Sequence, residues 1–294
     1  MPQPRTIRDG RMRTYLDTMK HESVLLGPVD RHLQLTLSDE RDGTVIHPSE
    51  MASSTWCPRA TWCRLTGQVR TRPGVTLRTN LIFATGDDTH EKWQRWTKEM
   101  GILWGRWRCA VCEKTVLEWS NALEVSPCQA RLGFQPHLWR YLEVPLVDPA
   151  ANVAGHADGI VNPTGDEPLV MEIKSVGPGT IRKLDLLTED ESDDVSSVKF
   201  SKISRPDNTH FRQLQIYLRL ADCDDIKDKV GPISRGVFVY EHKADQQVRE
   251  FVIARNDRWT DPLFETVDDI NWAIGQGREV RCPYGGCAEC RSYE

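Results

Sequence analysis

Strand-like apolar runs fall at Leu138–Val147, Val153–Asn162 and Leu169–Val176, separated by the turn residues Asp148-Pro149 and Pro163-Thr164-Gly165-Asp166. Two more, Gly236–His242 and Val248–Ala254, predict a hairpin across Lys243–Gln247. Helical spacing appears elsewhere. Gly86, His90, Trp93 and Met100 recur on one face of a helix from about Asn80 to Met100, with Gly101 as its C-cap and His90 turned inward. Further helices are expected over Met51–Leu65, with Ser49 as N-cap, over Thr209–Ala221, and over about Pro262–Ile274. Arg70–Thr79 reads as a loop. The order helix, three strands, helix, strands predicts an α/β domain whose central mixed sheet is flanked by helices.

These patterns divide the chain into five segments. Residues 1–45 are a weakly patterned extension, and 46–101 a helical segment. Residues 102–137 form a cysteine-bearing insertion, 138–275 the α/β core, and 276–294 a cysteine-rich tail.

Composition narrows the class. With 39% apolar and 28% charged residues, the 294-residue chain is ordinary for a globular protein. No run approaches the ~20 apolar residues of a membrane span, and the first residues lack the apolar centre of a secretion signal. A cytoplasmic protein without a membrane partner is expected, and sequence leaves the oligomeric state open. The net charge of −5 is unevenly spread. Met51–Arg108 holds ten Lys/Arg against four Asp/Glu, while Leu184–Asp194 holds six carboxylates and no base. Phosphate binding needs local rather than global positive charge. Nine cysteines, an odd number, argue against a disulfide framework, and seven of them are clustered or motif-like, which points to metal.

The chemistry centres on Gly155-His156-Ala157-Asp158, followed by Glu172-Ile173-Lys174. Alternation along a strand puts Glu172 and Lys174 on one face. If the strand bearing Asp158 pairs with theirs, two carboxylates and an ammonium converge. Such carboxylates suit Mg²⁺ or Mn²⁺, and the lysine can stabilise phosphoryl charge. The apolar flank Leu169-Val170-Met171 and Ile173 mark this strand as buried, where charges need a reason.

Four motifs in order resemble the RecB-like branch of the PD-(D/E)XK nucleases: Gly86-Asp87-Asp88-Thr89-His90, Gly155-His156-Ala157-Asp158, Glu172-Ile173-Lys174, and Gln213-Leu214-Gln215-Ile216-Tyr217. The resemblance implies a PD-(D/E)XK core. His90, Asp158, Glu172 and the Ile173 carbonyl would be ligands to Mg²⁺ or Mn²⁺, and Lys174 the catalytic lysine. Gln213 and Tyr217 would position DNA or that lysine, and Glu143 would be a supporting acid. The implied activity is a DNA exonuclease working on single-stranded or end-processed DNA in repair, recombination or replication. A flap endonuclease and a non-catalytic DNA-binding adaptor are the alternatives. No G-x-x-x-x-G-K-[ST] is present, so a helicase or recombination partner would be a separate protein. A stand-alone nuclease of this kind suits a bacterial or phage-infected cell.

One cysteine before the motifs (Cys57) and three after (Cys282, Cys287, Cys290) resemble the Cas4-like and AddB-like layout, which implies a [4Fe–4S] cluster. Here the longer gap precedes the shorter, unlike the commonest family order, and four-thiolate Zn²⁺ is the rival. Cys63 is a substitute for Cys57. Cys109, Cys112 and Cys128 resemble a zinc ribbon short of one ligand, with His137 the candidate for that place. Trp104, Trp107 and Trp119, beside Arg106 and Arg108, could stack bases or fill a small core.

Overall fold

The structure is a computed structural model that describes residues 25–36, 42–71, 75–124, 127–128, 135–188, 190–192 and 195–293. The chain falls into two units. The smaller, residues 1–40 and 74–81, contains helix α1 (Leu26–Thr36), inside the segment expected to lack pattern, and the start of α4 (Leu77–Glu99). The larger, residues 41–73 and 82–294, carries everything else.

In the larger unit, β1 (Leu103–Cys109), β2 (Thr115–Trp119), β6 (Gly159–Val161), β7 (Leu169–Val176), β8 (Arg235–His242) and β9 (Val248–Ala254) form a sheet in the order β2-β1-β6-β7-β8-β9. A short β3 (Trp139–Tyr141) pairs with β1. The sheet is mixed, because β7 and β8 run parallel while the other pairs are antiparallel. A separate antiparallel pair joins β4 (Val144–Asp148) to β5 (Val153–Ala157).

Side-chain alternation sorts the sheet into two faces. Val170, Val176, Phe238 and Tyr240 enter one core, into which α7 (Asn208–Leu220) sends Leu214 and Leu218. Met171, Ile173, Val237 and Val239 enter the other, packed by Trp93 of α4. Glu172 and Lys174 have the parity of Val170 and so face α7. This is the expected mixed sheet with helices on both faces.

Several expected elements are divided. The helix over Met51–Leu65 is two, α2 (Pro48–Met51) and α3 (Pro58–Leu65). Pro58 begins a helix but cannot continue one, so Cys57 is left extended as the N-cap of α3. His47 rather than Ser49 caps α2, and its amide bonds the Glu50 carboxylate at 3.2 Å. The strand over 138–147 breaks at Leu142-Glu143, where Glu143 takes a positive φ of 60°. The strand over 153–162 breaks at Asp158, as the chain leaves one sheet for the other. Within residues 102–137, β1 and β2 extend the main sheet. The remaining helices are α5 (Pro178–Lys183), α6 (Ser196–Phe200), α8 (Asp224–Val230), α9 (Asp261–Gly275) and α10 (Ala288–Arg291). Of the acidic run at 184–194, Glu189, Asp193 and Asp194 lie outside the described residues. Among the described residues, no helix is long and apolar enough to cross a membrane.

Candidate active site

Both strand breaks serve one site. At Asp158 the interruption turns the carboxylate away from the ladder: Oδ2 accepts the Ile173 amide at 2.6 Å, and Oδ1 lies 3.0 Å from His90 Nδ1. The Asp158 carbonyl is held by Gln94 Nε2 at 3.1 Å and by the Tyr141 hydroxyl at 3.0 Å. Glu143 is delivered by the other break, where the Arg106 amide bonds its carbonyl at 3.1 Å. Ligand atoms of His90, Glu143 and Asp158 all lie within 4.8 Å of one another.

Helix α4 presents His90 because it is clamped to the sheet over the turns that follow that residue. Lys92 Nζ and Trp93 Nε1 both bond the buried Glu241 carboxylate of β8, the latter at 2.7 Å. Farther along, Lys98 reaches the Trp139 carbonyl at 3.2 Å.

From β7, Glu172 Oε1 pairs with Lys174 Nζ at 2.6 Å, and Lys174 also reaches Gln213 Oε1 at 3.3 Å. Gln213 Nε2 donates to the Tyr217 hydroxyl at 2.9 Å, which fixes the amide's orientation. The chain Tyr217–Gln213–Lys174–Glu172 thus holds the ammonium beneath α7. Glu172 Oε2 is buried with no hydrogen-bond partner. Glu172 lies outside the group of His90, Glu143 and Asp158 and is engaged by Lys174.

The electrostatics follow from crowding carboxylates where water is scarce. Burial, then repulsion from Asp158, raises the Glu143 carboxyl to about 7 against the pull of His90 and Gln94. Burial, joined by Asp158, raises Glu172 to about 7 despite Lys174. Burial pushes Lys174 down, but Glu172, Asp158 and Glu143 together move it upward. Burial pushes His90 down, but its bond to Asp158 and that carboxylate's charge together raise it. Three carboxylates facing one ammonium, with one buried oxygen unbonded, fit a hard divalent cation held by oxygen and imidazole donors. A cavity of about 330 Å³ lined by Asp87, His90, Gln94, Tyr141 and Glu143 opens onto this cluster.

Sequence reading missed Gln94, Tyr141 and His210. Gln94 lies one turn after His90, a legible signal. Tyr141 gives none, since its role depends on β3 pairing with β1. His210, one turn before Gln213, has its ring beside the Tyr240 hydroxyl at 2.6 Å. Burial, then the charges of Lys174 and Lys183, lowers it to about 3, so it is neutral.

The cysteines gather into two tetrads. Cys109, Cys112, Cys128 and His137 lie together, with Cys109 and Cys128 sulfurs 3.9 Å apart and Cys112 Sγ 3.4 Å from His137 Nδ1. Burial raises the Cys109 thiol, but the amides of Cys112 and Val111, with His137 and Leu138, draw it down to about 5. Cys57, Cys282, Cys287 and Cys290 form the second tetrad, and Cys63 stands outside it. Its sulfurs are 3.7 Å apart for Cys57–Cys282 and 3.6 Å for Cys287–Cys290. Each thiolate of a cubane cluster binds a different iron, which sets the sulfurs about 6 Å apart, whereas four thiolates on one Zn²⁺ stand about 3.8 Å apart. Trp104 and Trp107 are not stacking platforms: both are buried, one in each core, because β1 lies inside the sheet.

No family model matches the chain, and no curated protein matches it. Solved structures are similar to it. The alkaline exonuclease LHK-Exo from Laribacter hongkongensis shares 14% identity over 80% of this chain and 89% of its own, with a TM-score of 0.42. LHK-Exo in complex with dAMP gives 13% over the same shares, with a TM-score of 0.44. The structure of SSO0001 is 14% identical over 82% of each chain, with a TM-score of 0.37.

Proposed function

We propose that the chain is a divalent-metal-dependent deoxyribonuclease of the PD-(D/E)XK type, an exonuclease acting on single-stranded or end-processed DNA. The observation that carries this reading is the convergence of His90, Glu143, Asp158, Glu172 and Lys174 on one largely buried site, from one helix, two strand breaks and one strand.

His90, Asp158 and Glu172, with the Ile173 carbonyl, would hold Mg²⁺ or Mn²⁺. When bound, the ion supplies Lewis acidity toward phosphoryl oxygens and lowers the pKa of water. The chain's own groups do the rest. Lys174, charged throughout the neutral range, offsets negative charge building on the phosphate. Gln213 and Tyr217 fix its direction, so that no reorganisation is needed as that charge develops. Glu143, raised by burial and by the Asp158 charge and lying beside His90 and Asp158, would be a supporting acid. Gln94 and Tyr141 act through Asp158, as positioning residues. The Cys109, Cys112, Cys128 and His137 set would hold a structural Zn²⁺, closed by four ligands and therefore without an open position for chemistry.

The test is digestion of end-labelled linear DNA, single- and double-stranded, beside a closed single-stranded circle, with Mg²⁺, Mn²⁺ or EDTA. Expected is metal-dependent loss of the linear strands, an intact circle, and loss of activity in Lys174→Ala. Cutting of the circle would replace the exonuclease assignment with an endonuclease. DNA bound but left whole by the metal-loaded protein would overturn the enzymatic reading in favour of an adaptor.

A further inference from the structure

We infer that the tetrad Cys57, Cys282, Cys287 and Cys290 binds a single tetrahedral Zn²⁺ rather than an iron–sulfur cluster. Four thiolates bonded to one ion at about 2.3 Å stand about 3.8 Å from one another, the edge of a tetrahedron. The two separations in the tetrad are 3.7 Å and 3.6 Å, and all four sulfurs lie within 4.8 Å of one another. A cubane needs about 6 Å between sulfurs, well beyond these separations.

Three features keep the sulfurs close. Cys57 and Cys290 are fully buried and pack with Ala60. The Cys57 position is set by Pro58, which starts α3 immediately after it. On the other side, Gly285 and Gly286 both take positive φ, 68° and 111°, and fold the four residues after Cys282 into a tight turn. The amides of Tyr284, Gly286 and Cys287 point at the Cys282 sulfur, and the Cys290 amide bonds the Cys287 sulfur at 3.4 Å. These amides hold the Cys282 and Cys287 sulfurs at the spacing a single ion needs.

The Cys109, Cys112, Cys128 and His137 tetrad supplies an internal comparison. Its donors, three thiolates and an imidazole, have the same spacing, 3.9 Å and 3.4 Å. Two sites of one size, one of them with a nitrogen ligand that suits zinc, point to one metal in both. The consequence is a tail anchored without redox chemistry. The chain would keep its fold in air and have no electron to pass to or from DNA.

The experiment uses the full chain, expressed in zinc-replete medium and, separately, in iron-supplemented medium low in zinc, and purified without oxygen. Expected in both are two zinc ions per chain, one for each tetrad, with neither stoichiometric iron nor acid-labile sulfide. Cys287→Ser and Cys112→Ser should each lower the zinc content by half. Zinc-edge X-ray absorption on the unmodified chain gives an answer that does not depend on how the variants fold. It should show sulfur-dominated four-coordination with a minor nitrogen contribution and no metal–metal scattering. Stoichiometric iron, with or without sulfide, or zinc unchanged by Cys287→Ser, would overturn the assignment. Activity is not the readout, so a failure here is distinct from a failure of the nuclease reading.

Discussion

Gly155 and Gly86 both occupy motif positions, but for different physical reasons. A Cβ on Gly155 would come within 2.9 Å of the Pro48 ring and 3.1 Å of Tyr217 Cε1, whereas one on Gly86 would meet nothing within 4 Å. Gly155→Ala should therefore lower stability by about 1–3 kcal/mol through overpacking and shift Tyr217 away from Gln213. Gly86→Ala, within a helix, should raise stability by up to about 1 kcal/mol. Urea unfolding of the two variants checks both signs. The carboxylates give a prediction about pH. Glu143 and Glu172 titrate at about 7 in the fold against 4.5 for ordinary glutamate. Their folded values are raised, so the metal-free fold gains from them below about pH 4.5 and loses that gain as pH rises through about 7. Divalent ions bind the deprotonated groups and compete with those protons. Metal affinity should weaken below about pH 7, by about tenfold per pH unit for each proton displaced. Glu143→Gln should make that slope shallower. Calorimetric titration with Mn²⁺ between about pH 5.5 and 8 tests this, and an affinity flat across the range would refute the proton competition.

At the scale of elements, α4 acts as an arm that carries His90, and its grip on the sheet is Glu241. That carboxylate is buried and receives both Lys92 and Trp93. Glu241→Gln keeps the shape but weakens the charge-assisted bond to Lys92, whose side chain is 27% exposed. Because solvent screens that end, the expected loss is about 1–2 kcal/mol rather than the full cost of a broken buried pair. Cleavage should fall further than stability does, since His90 sits half a turn away. Measuring kcat beside the urea midpoint separates the two effects. Such elements were also the legible ones. β7 and β9 match their expected bounds of 169–176 and 248–254, and α7 and α9 lie within a residue of theirs, because long periodic runs outweigh local noise. The breaks at Glu143 and Asp158 were not legible. Asp158, and more weakly Glu143, disfavour a strand, but a single such residue does not mark a break; pairing with different sheets interrupts both runs. The strands β1 and β2 were hidden for a related reason. With Leu103, Trp104, Trp107 and Cys109 all buried, β1 has no clean two-residue alternation, and its cysteines suggest an insertion. The motif residues could be found by order and spacing, while Gln94 and Tyr141 depend on contacts that spacing does not encode.

Across the whole molecule, the two tetrads differ most in what they tie together. Cys57 and Cys282 are 225 residues apart, while Cys112 and His137 are 25 apart. A cross-link stabilises chiefly by restricting the unfolded chain, and the restriction grows with the logarithm of the loop it closes. A ninefold difference in loop length is then worth about 2 kcal/mol. The long tie is reinforced by Arg59–Glu279 at 2.8 Å, by the Tyr284 hydroxyl on the Trp56 carbonyl at 3.2 Å, and by Arg70 on Ser292 at 2.9 Å. These contacts are partly exposed and too weak to hold the tail once the tetrad is lost. Cys287→Ser should therefore lower the unfolding free energy by about 2 kcal/mol more than Cys112→Ser does. A strong chelator should bring both variants and the parent chain to a common urea midpoint. If Cys112→Ser costs as much as Cys287→Ser, loop closure is not what the second tetrad contributes. Its effect would then come from local packing around Ala60 and Cys290, and chelation would leave the variants' midpoints apart.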